Sequence, residues 1–229
     1  MYDPYILKNG TLRNKLGIAD YKELKNAECD LGFVKLISLD AVDCNCSGEE
    51  LIKRVHKHIF EDVFDWAGRY RTVPIYKTEL VIPGISLKYC DPENIKDSLQ
   101  QNISSMQNDY WNNQDLDNFA KKLTLHLAKI WRVHPFRDGN TRTALAYGYL
   151  FAKQHGVDLD IGKIADNLCR KIDDQTGKVK RYSIRDKFVL AALDTKDYPE
   201  PEALQDLLRQ SMTRIEREKT KEAETENEK

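Results

Sequence analysis

The stretch that most limits the fold is residues 141–154. Wound as a helix, Ala144, Leu145, Ala146, Tyr147, Tyr149, Leu150, Phe151 and Ala152 leave it without a polar side. A helix that is apolar all round is stable only where neighbours cover every face, which puts this one at the centre of a helical bundle. Candidate covering helices lie on both sides. Over residues 49–66, Leu51, Val55, Ile59 and Val63 recur every four residues with Ile52, Phe60 and Phe64 beside them, giving one broad apolar face; Ser47 suits its N-cap and Ala67-Gly68 its stop. Asp91-Pro92 opens a helix to about residue 107, and Asp115 caps another to about residue 133, with Phe119, Leu123, Leu127, Ile130 and Trp131 on its inner face. Further helices are expected over 21–36, 160–172, 183–193 and 200–219. Residues 69–89 have another character: rich in Val, Ile, Tyr and Thr, with Pro74, Pro83 and Gly84. Residues 70–76 and 80–82 read there as two strands of a hairpin, kept at an edge by their prolines. The expected fold class is all-α, a helical bundle with one β-hairpin.

The rest of the chain fits one domain with small appendages. Residues 1–20 read as an arm anchored by Tyr5, Leu12, Leu16 and Ile18, residues 21–200 as the main domain, and residues 201–229 as a terminal helix running into a charged, apolar-poor tail. A formal net charge of −1 gives no electrostatic reason for nucleic acid or anionic lipid to be the main partner. Cys29, Cys44, Cys46, Cys90 and Cys169 are odd in number and irregularly spaced. Cys44-Asn-Cys46 lacks the second pair of ligands that a tetrahedral zinc site needs, so free thiols in a reducing cytoplasm are expected. The N-terminus has no basic segment followed by an apolar one, and no apolar run has the length of a membrane span. These features point to the cytoplasm; a non-cleaved export signal, as an exported effector would carry, stays open.

Chemistry concentrates in the loop His134-Pro-Phe-Arg-Asp-Gly-Asn-Thr-Arg142, which leads into the most apolar helix. The first amides of a helix have no backbone partners, and its dipole makes that end positive. Gly139 permits φ > 0 and a close approach of backbone to ligand, so Gly139, Asn140 and Thr141 can form an anion nest suited to phosphate. Arg142 adds a guanidinium with bidentate geometry for phosphate oxygens. Asp138 would repel phosphate by itself and makes sense as the ligand of a Mg²⁺ that bridges phosphates. His134, which unperturbed titrates near neutrality, suits a general base toward a hydroxyl. Phe136 pins the loop to the core and is grouped with the cofactor-binding residues Gly139, Asn140, Thr141 and Arg142. His56 and His126 read as structural histidines.

This loop resembles the core motif of the Fic family. The resemblance extends to residues 12–18, similar to the family's entry segment, and to residues 60–72, similar to the helix that leads into its hairpin, the flap; together it covers roughly residues 10–155. It implies a Fic domain over 21–200, with the core motif at 134–142 and the flap at 70–89. It also implies transfer of AMP from ATP to a Ser, Thr or Tyr hydroxyl of a target protein, with release of pyrophosphate. In that scheme His134 is the base, Asp138 the Mg²⁺ ligand, and Gly139, Asn140 and Arg142 hold the phosphates. The flap, through Val73, Ile75 and Lys77, takes an extended stretch of the target by strand addition, with Ile75 as a clamp on the modified residue.

Two positions depart from the family pattern. Thr141 stands where AMP-transferring members have Gly, and Leu145 stands where they have a second arginine. The run after Asn140 is similar to Doc toxins, which transfer the γ-phosphate, but those carry Lys at position 141 and lack Gly139. Gly139 and Pro135 favour AMP transfer; a Doc-like kinase and a catalytically inactive binding module are the alternatives. The family's inhibitory helix, of the form Ser/Thr-x-x-x-Glu-Gly/Asn, has only a partial match at Thr220 and Glu224, where Thr225 follows. Control by a separate antitoxin-like protein, or by homo-oligomerisation, is the expectation that remains.

Overall fold

The computed structural model describes residues 3–46, 48–77, 81, 87–165, 171–172, 179–193 and 200–216. Its helices are α1 (Tyr21–Ile37), α2 (Gly48–Phe60), α3 (Ile95–Gln107), α4 (Leu116–Val133), α5 (Asn140–Gln154), α6 (Ile161–Ala165), α7 (Ile184–Ala192) and α8 (Glu202–Ser211). Short 3₁₀ turns at Leu39–Ala41 and Pro92–Asn94 follow α1 and precede α3. Asp115 caps α4 by accepting from the Asn118 N–H, as its position in the sequence predicts.

The expected centre is where the apolar pattern puts it. Helix α5 packs against α2, α4 and α7, and Ala144, Leu145, Ala146, Tyr147, Leu150, Phe151 and Ala152 are all buried. Helix α4 shares the middle, because α3, α5, α7 and α8 all lie against it. Beneath the loop that joins α4 to α5 lies an aromatic floor. His56 stacks on Phe136 at 3.8 Å between centroids, and Phe64 stacks on Trp66 at 4.3 Å. Among the described residues no helix is long and apolar enough to cross a membrane.

The all-helical class with a little β structure holds, but the strands fall elsewhere than expected. β1 (Val157–Leu159) pairs antiparallel with β4 (Met212–Arg214), and β2 (Lys171–Ile172) with β3 (Val179–Arg181). Residues 70–77 contain no strand. Their bonding groups are used otherwise: Pro74 has no N–H, the Arg71 N–H donates to the Pro135 carbonyl at 2.9 Å, and the Arg71 guanidinium takes the Val73 carbonyl. Most of the expected second strand, Leu80 and Ile82, lies outside the described residues, as do Ser47, Thr220 and Glu224.

Three helices are shorter than their sequence patterns suggest. α2 ends at Phe60, and the following turns bring the Gly68 N–H to His56 Nδ1 at 2.8 Å. Of the stretch expected as helix over 160–172, Ile161–Ala165 form α6 and Lys171–Ile172 belong to strand β2, while 166–170 lie outside the described residues. α8 stops at Ser211, where the chain becomes β4 and closes the ladder on β1. In each case tertiary pairing overrides a local helical preference.

Candidate active site

His134 is the C-cap of α4 and has φ 52°, ψ 57°, the only left-handed non-glycine backbone among the described residues. Such a conformation costs about 1–2 kcal/mol and persists only where surroundings enforce it. Here a buried arginine does so. Arg71, 2% exposed, donates from Nε to the His134 carbonyl at 2.8 Å, from Nη1 to the Val73 carbonyl at 2.8 Å and from Nη2 to the Cys90 carbonyl. One guanidinium thereby ties the motif loop to both ends of the segment expected as the flap.

The His134 ring is held as firmly. It stacks on Tyr89 at 3.9 Å and lies edge-on to Trp131. Nδ1 lies 3.3 Å from the Trp131 carbonyl, which can only accept, so Nδ1 carries the hydrogen and Nε2 keeps its lone pair. Burial, followed by the charges of Lys77 and Arg185, holds the pKa well below the ordinary histidine value. The imidazole is therefore neutral at physiological pH, the form a base requires.

His134 forms part of the wall of a cavity of about 500 Å³, together with Asp138, Gly139, Asn140, Thr141 and Arg142 from the loop and the first turn of α5. Tyr21 and Lys25 of α1, Lys77, and Arg185 of α7 complete it. The cavity thus gathers residues from four separate parts of the chain at a helix N-terminus. Gly139 has φ 78°, and a Cβ there would lie 2.3 Å from the Phe60 ring, so only glycine fits. Asp138 Oδ1 accepts from the Gly139 N–H at 2.8 Å, and Oδ2 lies 3.6 Å from Lys25 Nζ. Burial pushes the Asp138 pKa up, but Lys25, Lys77, Arg142 and the Gly139 amide outweigh it and leave the carboxylate well below its usual range. A lone ionised carboxylate beside an anion-binding helix end fits Mg²⁺, which is commonly held by one or two carboxylates plus substrate phosphates.

The other residues expected to hold the nucleotide also make contacts within the protein. Phe136 is fully buried against His56 and does not line the cavity, the position of a side chain that pins the loop to the core. The Asn140 side chain clasps the loop, accepting from the Phe136 N–H at 2.9 Å and donating to the Phe136 carbonyl at 2.8 Å. Both ends of its side-chain amide are thereby engaged within the loop. Thr141 Oγ1 accepts from Trp131 Nε1 at 3.0 Å. Arg142 lines the cavity but already pairs with Glu28, whose side chain is 1% exposed, and lies over the Phe60 ring. Of the flap residues, Lys77 reaches the cavity, Val73 gives its carbonyl to Arg71, and Ile75 is buried in the core instead of facing the site.

Sequence reasoning missed Arg71, Tyr89, Lys25, Glu28 and Arg185. It read His56 as structural, and the geometry agrees while giving the residue a task. Nδ1 accepts from Gly68 N–H, so Nε2–H donates to the Asp138 carbonyl at 3.1 Å. Burial, with Arg142 adding to it, pushes the His56 pKa down to about 3. A buried arginine or an isolated i, i+3 Lys/Glu pair has no distinguishing mark in one sequence.

Comparison with known proteins agrees with this geometry. The Fic/DOC family model matches residues 45–152, a span that contains α2, α4, the loop and most of α5. Protein adenylyltransferase VbhT of Bartonella schoenbuchensis is 26% identical over 71% of this chain, and the match spans 33% of VbhT's own length. The protein of Sinorhizobium fredii named "Probable protein adenylyltransferase y4lH" is 29% identical over 67% of this chain and 76% of its own. The crystal structure of the Bartonella tribocorum effector BepC with bound AMPPNP has the same fold, with a TM-score of 0.70 over 93% of this chain and 97% of that one at 17% identity. The motif loop and the adenylyltransferase relatives agree with the family model: residues 45–152 of this chain match the Fic/DOC family, and the fold is that of the solved Fic-type structure.

Proposed function

We propose that this protein transfers the AMP moiety of ATP to a Ser, Thr or Tyr hydroxyl of a target protein. The observation that carries the reading is the neutral His134 imidazole, its Nδ1 tied to a carbonyl, in one cavity with an ionised Asp138 and the start of α5. His134 Nε2 takes the proton of the acceptor hydroxyl. The freed oxygen bonds to the α-phosphorus as the bond to the pyrophosphate oxygen breaks, leaving a phosphodiester on the target and pyrophosphate as product. The Gly139–Arg142 turn binds phosphate oxygens through backbone amides and the helix dipole. Asp138 would hold Mg²⁺, which supplies charge neutralisation on the phosphates when bound.

Two further features support target binding at the flap. Residues 70–77 have no ladder partner among the described residues, and Lys77 of that segment lines the cavity. An extended target segment laid alongside would present a hydroxyl to His134 with little demand on its sequence. The named adenylyltransferase relatives support the choice of group transferred. Control by a separate antitoxin-like protein, or by self-association, belongs to the same reading.

The test uses ATP labelled at the α- or the γ-position, with intact-mass measurement of the labelled protein. Label from the α-position only, with a mass gain of one AMP, is expected, and His134→Ala abolishes it. Label from the γ-position would replace this reading with phosphorylation.

A further inference from the structure

Four charged side chains alternate in sign where α1 meets the motif loop. Glu28 is 1% exposed, and its two carboxylate oxygens are shared: Oε1 accepts from Arg142 and Oε2 from Lys25 Nζ at 2.9 Å. Lys25 Nζ lies in turn 3.6 Å from Asp138 Oδ2. A buried carboxylate needs compensating charge, so Glu28 holds both cations close to the cavity. The approach of α1 is built for this contact: at Gly32 a Cβ would lie 2.9 Å from Arg142 Nη1.

The motif by itself is short of positive charge for a triphosphate. Arg142 is neutralised by Glu28, and Leu145 sits in an apolar niche with Leu36, Ile161 and Ile164. The charge of Arg185 acts on the His134 imidazole and that of Lys77 on both His134 and Asp138, whereas Lys25 touches the Asp138 carboxylate directly and stands at the Asp138 and Arg142 end. Lys25 is also the most exposed of the four, with a side chain 41% exposed on a flexible four-carbon stem, and its contact with Asp138 is the longest in the chain of charges. A cation-bound nucleotide that engages Asp138 would compete for that contact alone. Nζ can then turn to a phosphate oxygen without leaving Glu28.

Resting on the AMP-transfer reading above, we propose that Lys25 of α1, outside the motif, binds the nucleotide's outer phosphates, with Glu28 as the residue that positions it. Lys25 thereby grips the pyrophosphate that leaves, at the end of the site away from His134.

The experiment measures binding of ATP and of AMP, each with magnesium, to the wild-type chain, Lys25→Met and Lys25→Arg by calorimetry. A charge-assisted bond to an outer phosphate predicts about tenfold weaker ATP binding in Lys25→Met, with AMP binding within about twofold of wild type and most of the loss recovered in Lys25→Arg. Equal losses for ATP and AMP, or no loss for either, would overturn the assignment. A second measurement needs no variant: acetylation of Lys25 in the wild-type chain, followed by mass spectrometry, is expected to be blocked by magnesium ATP and not by AMP. Equal labelling under both conditions also overturns it. If the wild-type chain transfers α-label while Lys25 shows neither effect, only this assignment fails. If it binds no ATP, the AMP-transfer reading fails with it.

Discussion

His134 and Arg71 show how one residue can decide whether a site exists. The left-handed backbone at His134 is held by a guanidinium that reaches three carbonyls from separate parts of the chain. Removing it leaves those carbonyls without their donor in a buried place. Arg71→Ala is expected to lower stability by about 3 kcal/mol or more, read by urea denaturation, and to abolish transfer even though Arg71 touches no substrate. The histidines also set a pH dependence. His56 has a folded pKa of about 3 and His134 one well below its ordinary value, against about 6.5 when unfolded. A depressed folded pKa means the unfolded chain takes up the protons. The contribution is therefore complete above pH 6.5 and is lost as pH falls below it, for His56 at about 1.4 kcal/mol per pH unit down to about pH 3. Unfolding curves at pH 7.5 and 5.0 should show that loss, and His56→Phe should reduce it. Over pH 8 to 6 the transfer rate should not drop through loss of the base, because His134 stays neutral there.

Helix ends carry the next level of control. The start of α5 and the end of α4 form the loop, and α1 and α7 bring charged residues to it from distant sequence. The position of α7 depends on a capping box in which the Ser183 side chain accepts from the Asp186 N–H and Asp186 accepts from the Ser183 N–H. Ser183→Ala should cost about 1 kcal/mol in thermal or urea unfolding, and unfolding the first turn of α7 would displace Arg185 from Tyr89. Apolar spacing made α4, α5 and the Asp115 cap legible in the sequence. It also extended α2, α6 and α8 beyond their real ends, because periodicity continues past the point where a tertiary partner takes the backbone. Met212–Arg214, expected within α8, became β4 for that reason: their backbone pairs with β1.

At the scale of the whole molecule, α1, α5 and α6 close an apolar niche around Leu145, next to the buried pair of Glu28 and Arg142. This is why the departure from the family pattern at position 145 cannot be read as a simple loss. Leu145→Arg would place a charge among Leu36, Ile161 and Ile164, and it is expected to destabilise the fold by about 3 kcal/mol or more without improving ATP affinity. Denaturant midpoints and nucleotide titrations on the same preparation check both halves of that expectation.

By itself the sequence determined the helical class, the buried centre at α5, and a loop that places a histidine and a carboxylate just before a helix start, because these depend on residues adjacent in the chain or one helical turn apart. Tertiary structure alone decided that Asn140 clasps the loop, that Arg142 is already paired, and that Arg71, Glu28, Lys25 and Arg185 surround the motif. Those contacts join residues far apart in the chain. Hydrogen bonds and ion pairs form over a few ångströms in space and leave no period along the sequence, so only the folded arrangement reveals which partner each group meets.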